Sequence, residues 1–466
     1  MKSKLTYHLI IWSAVIFLAV CSSCETKAQP DSTAESSVIE IETLDDFKNY
    51  IGRDNVTVKL KPGNYQIDQA ENIRFVQITG NNSYFDLTGC RFMVDTKLFG
   101  RTDLQAAGDG NSMYCVIEIS GSNVTLEGLY IETYGDQAGR QSKNKIFNIA
   151  GTDITLKNVE LRTAGSSPWG YGYLYGLGGG DVRKMNGIRV GYPAKNTKLI
   201  GCKVHMRAMG HAIFLQGAEN TLIDDCHVDG LLRTTEAILA ETSGYGFDRD
   251  FFAGKGGYIE GTTVADDGKI LPGEIISLSE DGIRIYPEYK GHSTQNTTVK
   301  NCTVFQMRRG ICTGLGSSAD KVMNCRATSC VAAGFNVGNN DTIINCSADA
   351  KYAEAFCVTN RNTKNAYIEM DILDSRNGMA NNLLAAINGT GHHVVIKTSN
   401  PSFIPESFVI ELSTRNGYAY YQRSGVAAAN IKLDNQTNTN VLLFPGTTNP
   451  MVESNGEVIN QQLQSN

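Results

Sequence analysis

VKNCTV at residues 299–304, VMNCRA at 322–327 and IINCSA at 343–348 repeat one phrase: an aliphatic residue, a spacer, Asn-Cys, a spacer and a small or branched apolar residue. The same phrase occurs upstream as LTGCRF around Cys90, LIGCKV around Cys202 and IDDCHV around Cys226. Six residues before the cysteine stands Asn196, Asn220, Asn296, Ala319 or Asn340. Two further copies carry an aliphatic residue in the cysteine's place, Asn123-VTLEG-Leu129 and Asp153-ITLKN-Val159. The markers at 90, 129, 159, 202, 226, 302, 325 and 346 are separated by 39, 30, 43, 24, 76, 23 and 21 residues. The short gaps define a unit of 21 to 24 residues, and the long gaps are that unit plus inserted loops. A period in the low twenties built from short β phrases and Asn/Gly turns points to a solenoid. Each unit holds three short strands, as in HAIFLQG (211–217), TLID (221–224) and CHVDG (226–230). Three such strands with their turns close one coil of a triangular β-helix, stacked in parallel on the next coil about 4.8 Å away. Asn at the repeated turn tolerates a left-handed backbone and can bond to the Asn of the next coil.

A position that accepts Cys, Leu or Val is a small buried apolar site. The cysteines from Cys90 onward are therefore expected as stacked free thiols rather than a disulfide framework. The rest of the composition agrees with an all-β protein. Of 466 residues, 47 are Gly and only 10 are Pro, and 41% are hydrophobic, which excludes wholesale disorder. The formal net charge of −6 gives no basic footprint for nucleic acid.

The first residues read as a leader. Lys2 and Lys4 precede an apolar run from Leu9 to Val20, too short to span a membrane comfortably, and the run ends in Cys21-Ser22-Ser23-Cys24. Ser23 before Cys24 resembles a bacterial lipobox, which implies lipidation at Cys24 and an exported lipoprotein of the outer membrane or cell surface. The expected organisation is a leader over 1–23, a polar tether over 24–38, one β-helix domain over 39–447 and a frayed tail over 448–466. A short helix near 44–50 is expected to cap the first coil.

The coil rhythm, with phrases such as GIRV (187–190), DGIRI (281–285) and RGICT (309–313), resembles the right-handed parallel β-helix superfamily of pectate lyases, polygalacturonases and related carbohydrate enzymes. That resemblance implies that strands of the GIRV type form the first sheet. It also implies that insertions between a third strand and the next first strand line a sugar-binding side. Two insertions fit: 163–185, rich in Gly and Tyr, and 231–280. The superfamily's catalytic phrases are echoed only loosely, by Gly210-His211-Ala212 and Arg284-Ile285-Tyr286, so no catalytic residue is carried over. Asp224-Asp225 falls at a second-sheet turn and is read as a cap of that turn.

Aligning the first-sheet strands puts Val76, Ile117, Phe147, Ile188, Ile213, Ile283, Ile311, Phe335 and Phe356 inward. The next residue faces out, giving Glu118, Asn148, Arg189, Phe214 and Arg284, with Gln216 and Tyr286 two residues on. At the strand starts stand Asn186, His211, Asp281 and Arg309. This centre is locally cationic in an acidic protein. It suits β-elimination on a uronic-acid-containing polysaccharide, which needs a cation for the substrate carboxylate, a base for the α-proton and an acid for the leaving oxygen. Arg189 or Arg284 is the expected cation, His211 or an arginine the base and Tyr286 the acid, with Asp281 in the same cluster. Glu118, Asn148, Arg233, Glu236, Glu241 and Arg309 are expected to bind substrate. Ca²⁺ is an alternative neutraliser, with Glu236, Glu241, Asp248 and Asp250 as oxygen donors. A glycoside hydrolase pairing Glu236 or Glu241 with Asp281 or Glu118 is the competing enzyme. A non-catalytic glycan-binding lipoprotein is the third reading. The expected partner in each case is an extracellular polysaccharide, with the membrane met only through the anchor.

Overall fold

A computed structural model describes residues 37–104, 114–135, 144–176, 182–254, 264–265, 267–314, 319–359, 362–379, 382–413 and 427–461. The leader, Cys24 and most of the tether lie outside the described residues. No described helix is long and apolar enough to cross a membrane.

The chain winds into a right-handed parallel β-helix. One full coil comprises Ile213–Gln216, Leu222–Asp224 and His227–Asp229. The next comprises Asp281–Ile285, Thr298–Lys300 and Thr303–Phe305. All three strands pair in parallel with their counterparts, Ile213 opposite Ile283, Leu222 opposite Thr298 and His227 opposite Thr303. Among the described residues thirteen strands stack in the first sheet, from Arg74–Ile78 to Val458–Asn460. The register runs unbroken through Val76, Ile117, Phe147, Ile188, Ile213, Ile283, Ile311, Phe335 and Phe356, all buried. These are the residues expected to point inward.

The repeated phrase earns its conservation of type inside and at the turns. Cys90, Cys202, Cys226, Cys302, Cys325 and Cys346 are buried, as are Leu129 and Val159. The ten cysteines from Cys90 onward are all free thiols. At the turn before the second strand, Asn196, Asn220 and Asn296 have φ of 55°, 56° and 56°. Asn220 donates to Asn196, and Asn296 to Asn220, each at 3.0 Å. The left-handed turn is what puts each amide side chain beside the one below it. Asp224 sits in a second such ladder, accepting from Asn301 at 2.8 Å and pairing with Lys300 at 3.1 Å.

A short helix, Leu44–Lys48, closes the N-terminal end, capped by Thr43 and inserting Phe47 against Phe85 and Phe92. Full burial of one such ring is worth about 2 kcal/mol. At the other end the expected fraying is corrected. Met451–Ser454 pairs with Lys432–Asn435, and Val458–Asn460 with Asn440–Leu443. The polar composition after Thr448 misleads because a terminal coil has solvent on its outer side and still needs its backbone ladder filled.

Both insertions leave after a third strand, Glu160–Thr163 and His227–Asp229, and return at first strands Met185–Gly191 and Asp281–Ile285. They pack on each other. Tyr171, Tyr173, Leu174 and Tyr175 from the first share a small core with Ile238, Ile270, Ile276 and Leu278 from the second and with Met209. Within the second, Leu232–Thr234 and Ile275–Ser277 form an antiparallel pair beside a short helix, Thr235–Leu239. A further excursion is absent from the sequence reading: the hairpin Glu288–Tyr289/His292–Ser293, turning at Lys290 and Gly291 with φ of 52° and 79°.

Candidate active site

Strict alternation would turn His211, Asp281 and Arg309 into the coil, because each stands two residues before an inward one. The backbone avoids this by placing two consecutive residues inward. A Cβ added at Gly282 would lie 2.4 Å from Val304 Cγ1, and one at Gly310 would lie 2.5 Å from Ala327 Cβ, so these positions face the third-strand core. Only a small residue fits at the bend, glycine at 282 and 310 and the buried Ala212 in the coil before. The bend puts residue 281 and residue 284 on the same outer face, where the Arg284 side chain reaches back to Asp281 at 2.5 Å.

Asp281 is the hub of that face. Its Oδ1 accepts from Arg308 Nη2 at 2.9 Å and Arg309 Nε at 2.9 Å, and its Oδ2 from Arg309 Nη2 at 3.0 Å. Burial pushes its carboxyl up, but Arg308, Arg309 and Arg284 more than offset that and hold it well below the usual range. All three arginines are buried. The expectation that Arg284 and Arg309 present open guanidinium forks to a substrate carboxylate is thus corrected. A desolvated cation must be paired where it lies, and Asp281 provides the pairing. These arginines form a buried charged layer under the outer face of the first sheet.

Above the layer, His211 and Tyr286 meet, with Nε2 2.9 Å from the phenol oxygen. The backbone N–H of Asp281 donates to His211 Nδ1 at 3.3 Å. Burial lowers the imidazole to about 4 despite the raising effect of Glu280 and Asp281, so the ring is neutral and its proton sits on Nε2. His211 therefore donates toward Tyr286, and because its one remaining lone pair, on Nδ1, is taken by the Asp281 N–H, its expected role as the base is corrected. Tyr286 is partly exposed, and burial pushes its hydroxyl up to about 12, so it stays protonated. The Arg284 guanidinium lies 4.4 Å from the centre of its ring.

The two insertions end at this pair. Lys184, at the close of the first, bonds Glu280 Oε1 at 2.7 Å, and Glu280 Oε2, at the close of the second, lies 3.3 Å from His211 Nε2. Burial raises the Glu280 carboxyl, but Lys184, His211 and Arg308 bring it down to about 2. Sequence reasoning missed Lys184, Glu280 and Arg308. The only signal was adjacency, since each precedes a strand-start position or stands next to one.

Further along the sheet, Arg189 donates to Gln216 Oε1 at 3.0 Å and to Asn148 Oδ1 at 2.9 Å, and the Tyr289 ring of the hairpin covers it at 4.7 Å. Asn148 donates to Glu118 at 2.6 Å, and Glu118 pairs with Arg74 at 3.0 Å. These residues share the outer face as expected, and their polar atoms are turned on one another.

Arg233, Glu236 and Glu241 are brought elsewhere. Arg233 bonds Glu241 Oε1 at 2.6 Å and Gly170 O at 2.9 Å, Tyr171 donates to Glu241 Oε2 at 2.6 Å, and Glu236 accepts Gly273 N–H at 2.7 Å. Arg233 and Glu241 bind the two insertions together, which corrects their placement as substrate ligands, while Glu236 is exposed within the second insertion. Asp250 pairs with Lys269 at 2.6 Å. The four carboxylates expected to hold Ca²⁺ do not converge, and among the described residues no three His, Cys, Asp or Glu side chains gather in metal-binding geometry.

No protein-family model matches this sequence, and no curated protein does. Solved structures similar to it include a GH87 alpha-1,3-glucanase catalytic domain in complex with nigerose, at TM-score 0.48 and 10% identity over 94% of this chain and 69% of that one. A PL6 alginate lyase in complex with a trisaccharide has TM-score 0.47 and 12% identity, over 92% and 87%. PfbA, a surface adhesin of Streptococcus pneumoniae, has TM-score 0.42 and 12% identity, over 89% and 87%. Likenesses of this size carry nothing about the reaction.

Proposed function

We propose that this chain is a polysaccharide lyase that cleaves a uronic-acid-containing glycan by β-elimination, exported on the leader and lipid anchor that residues 1–24 spell out. The observation that carries this reading is the Tyr286 hydroxyl held by His211 Nε2. With the imidazole proton directed at the phenol oxygen, the phenol's own hydrogen is left to donate into the groove. A protonated, aimed phenol is suited to protonating the leaving glycosidic oxygen. The arginines beneath supply positive potential from a water-poor layer, which favours the negative charge that builds on a uronate as its α-proton passes to a solvent water or hydroxide; the C–O bond then breaks, and the leaving oxygen takes the Tyr286 proton, which solvent restores.

Hydrolysis is less well supported. It needs a carboxyl kept protonated at neutral pH beside a second carboxylate. Glu280 is held near 2 and Asp281 well below the ordinary value. Glu118 and Glu241 are engaged by arginines. The deciding experiment is digestion of a panel of uronans followed by ultraviolet absorbance. Elimination creates a conjugated unsaturated uronide that absorbs. New reducing ends without that absorbance would replace elimination with hydrolysis, and retained glycan binding with neither signal would make the protein a binder.

A further inference from the structure

On the turn side of the first sheet, Tyr192 and His292 stack face to face, with ring centres 3.5 Å apart and planes within 10°. Tyr192 is 42% exposed and His292 is exposed too. An exposed pair of rings held this close and parallel is unusual for side chains with no core to fill, and the fold supplies the reason. The hairpin that follows Tyr286 leans along the solenoid edge, over the turn of the intervening coil, until its tip reaches Tyr192. Gly217 lets the two meet: a Cβ there would lie 2.9 Å from His292 O and 3.1 Å from Tyr192 Cβ, and φ is 70°. The same hairpin lays Tyr289 over Arg189. Tyr192 N–H bonds Gln216 O at 2.8 Å, and the Gln216 side chain bonds Arg189 at 3.0 Å. The stacked pair is thus tied directly to the outer face that carries Tyr286.

We propose that the Tyr192–His292 stack is a sugar-binding platform of the groove, receiving the apolar C–H face of a pyranose ring in the same glycan chain whose cleavage is assigned to Tyr286. One face of a pyranose carries mainly C–H bonds and packs on a rigid aromatic surface, while its hydroxyls stay hydrated at the rim. Stacking the two rings in advance removes the ordering cost from the binding step. Tyr192 follows a first-sheet strand that stands two strands from the one Tyr286 follows, with Ile213–Gln216 between them, so the platform serves a chain longer than the sugars at the scissile bond. It should therefore affect affinity and leave the chemical step alone.

This rests on the glycan-cleaving reading only for the identity of the ligand, and the test keeps the two apart. Oligogalacturonide, oligomannuronate, oligoguluronate and neutral gluco-oligosaccharides of increasing length are titrated calorimetrically into Tyr286→Phe protein, with and without a second substitution at the platform. Tyr192→Ala and His292→Ala are expected to weaken the longer ligands roughly fivefold, with little effect on the shortest, and Tyr192→Phe to keep full affinity. Matching thermal midpoints exclude loss of fold as the cause. If an acidic oligosaccharide binds and the alanine variants change its affinity by less than about twofold, below what an aromatic contact contributes, the platform is overturned and the lyase reading is untouched. If only neutral ligands bind, and the alanine variants weaken them, the platform stands and the lyase reading falls. Binding of none of these glycans overturns both.

Discussion

Tyr286 and His211 concentrate the chemistry in a single contact. The proposed donor acts only as the leaving oxygen takes up charge. Tyr286→Phe should therefore lower kcat by about 10²-fold or more with little change in KM, measured by initial rates on the best uronan. His211 also sets a limit on acid tolerance. It and His392, whose Nδ1 accepts Ala366 N–H at 3.0 Å, are both held near 4 by burial, against 6.5 for an open imidazole. The unfolded chain binds those protons first as pH falls, so their contribution is complete above pH 6.5 and is lost progressively between 6.5 and 4. Thermal midpoints should fall across that window, and a His211→Gln, His392→Gln double variant should flatten the slope. Glu280, held at about 2, adds a further loss only below its ordinary 4.5.

At the scale of strands and turns, stability depends on two repeated devices. One is the inward bend at the start of a first-sheet strand, where Gly282 has Val304 Cγ1 only 2.4 Å from where a Cβ would go. Gly282→Ala should cost about 3 kcal/mol, the range of an overpacked core, and it should displace Asp281 from its arginines. The other is the asparagine ladder. Asn220→Ala removes bonds to both neighbours and puts alanine at φ 56°, a combined cost of about 2 kcal/mol. Chemical denaturation of both variants, with an unchanged dependence on denaturant, checks each figure.

For the molecule as a whole, the cysteines and the insertions give opposite kinds of prediction. All ten cysteines from Cys90 onward are buried and free, so thiol titration in denaturant without reductant should count about ten; fewer than about four would restore a disulfide framework. The insertions cannot be removed one at a time. Excising 231–280 would take Glu241 from Arg233 and Tyr171, and would expose the apolar face that Tyr173, Leu174 and Tyr175 bury against it. The single deletion is expected to aggregate. Removing 163–185 and 231–280 together, with short Gly/Ser links, should leave a soluble β-helix that has lost activity, seen by circular dichroism and size-exclusion chromatography.

The solenoid, the inward row from Val76 to Phe356, the buried thiols and the ladder at Asn196, Asn220 and Asn296 were legible in the pattern of the chain, and the side from which both insertions leave came from the superfamily resemblance. The pattern was readable because stacked parallel coils turn a sequence interval of one repeat into a distance of one strand spacing, so pattern along the chain is pattern in space. How the charges are shared was not legible there and follows from three-dimensional packing. Arg284 and Arg309 look in sequence like open cations and in space are spent on Asp281; Arg233 and Glu241 look like ligands and are struts; Lys184 and Glu280 meet across 96 residues at His211. The physical reason is range. Backbone registry and burial repeat locally, whereas a buried charge takes whichever partner the packing of distant loops brings within hydrogen-bond reach, and no period in the sequence encodes that choice.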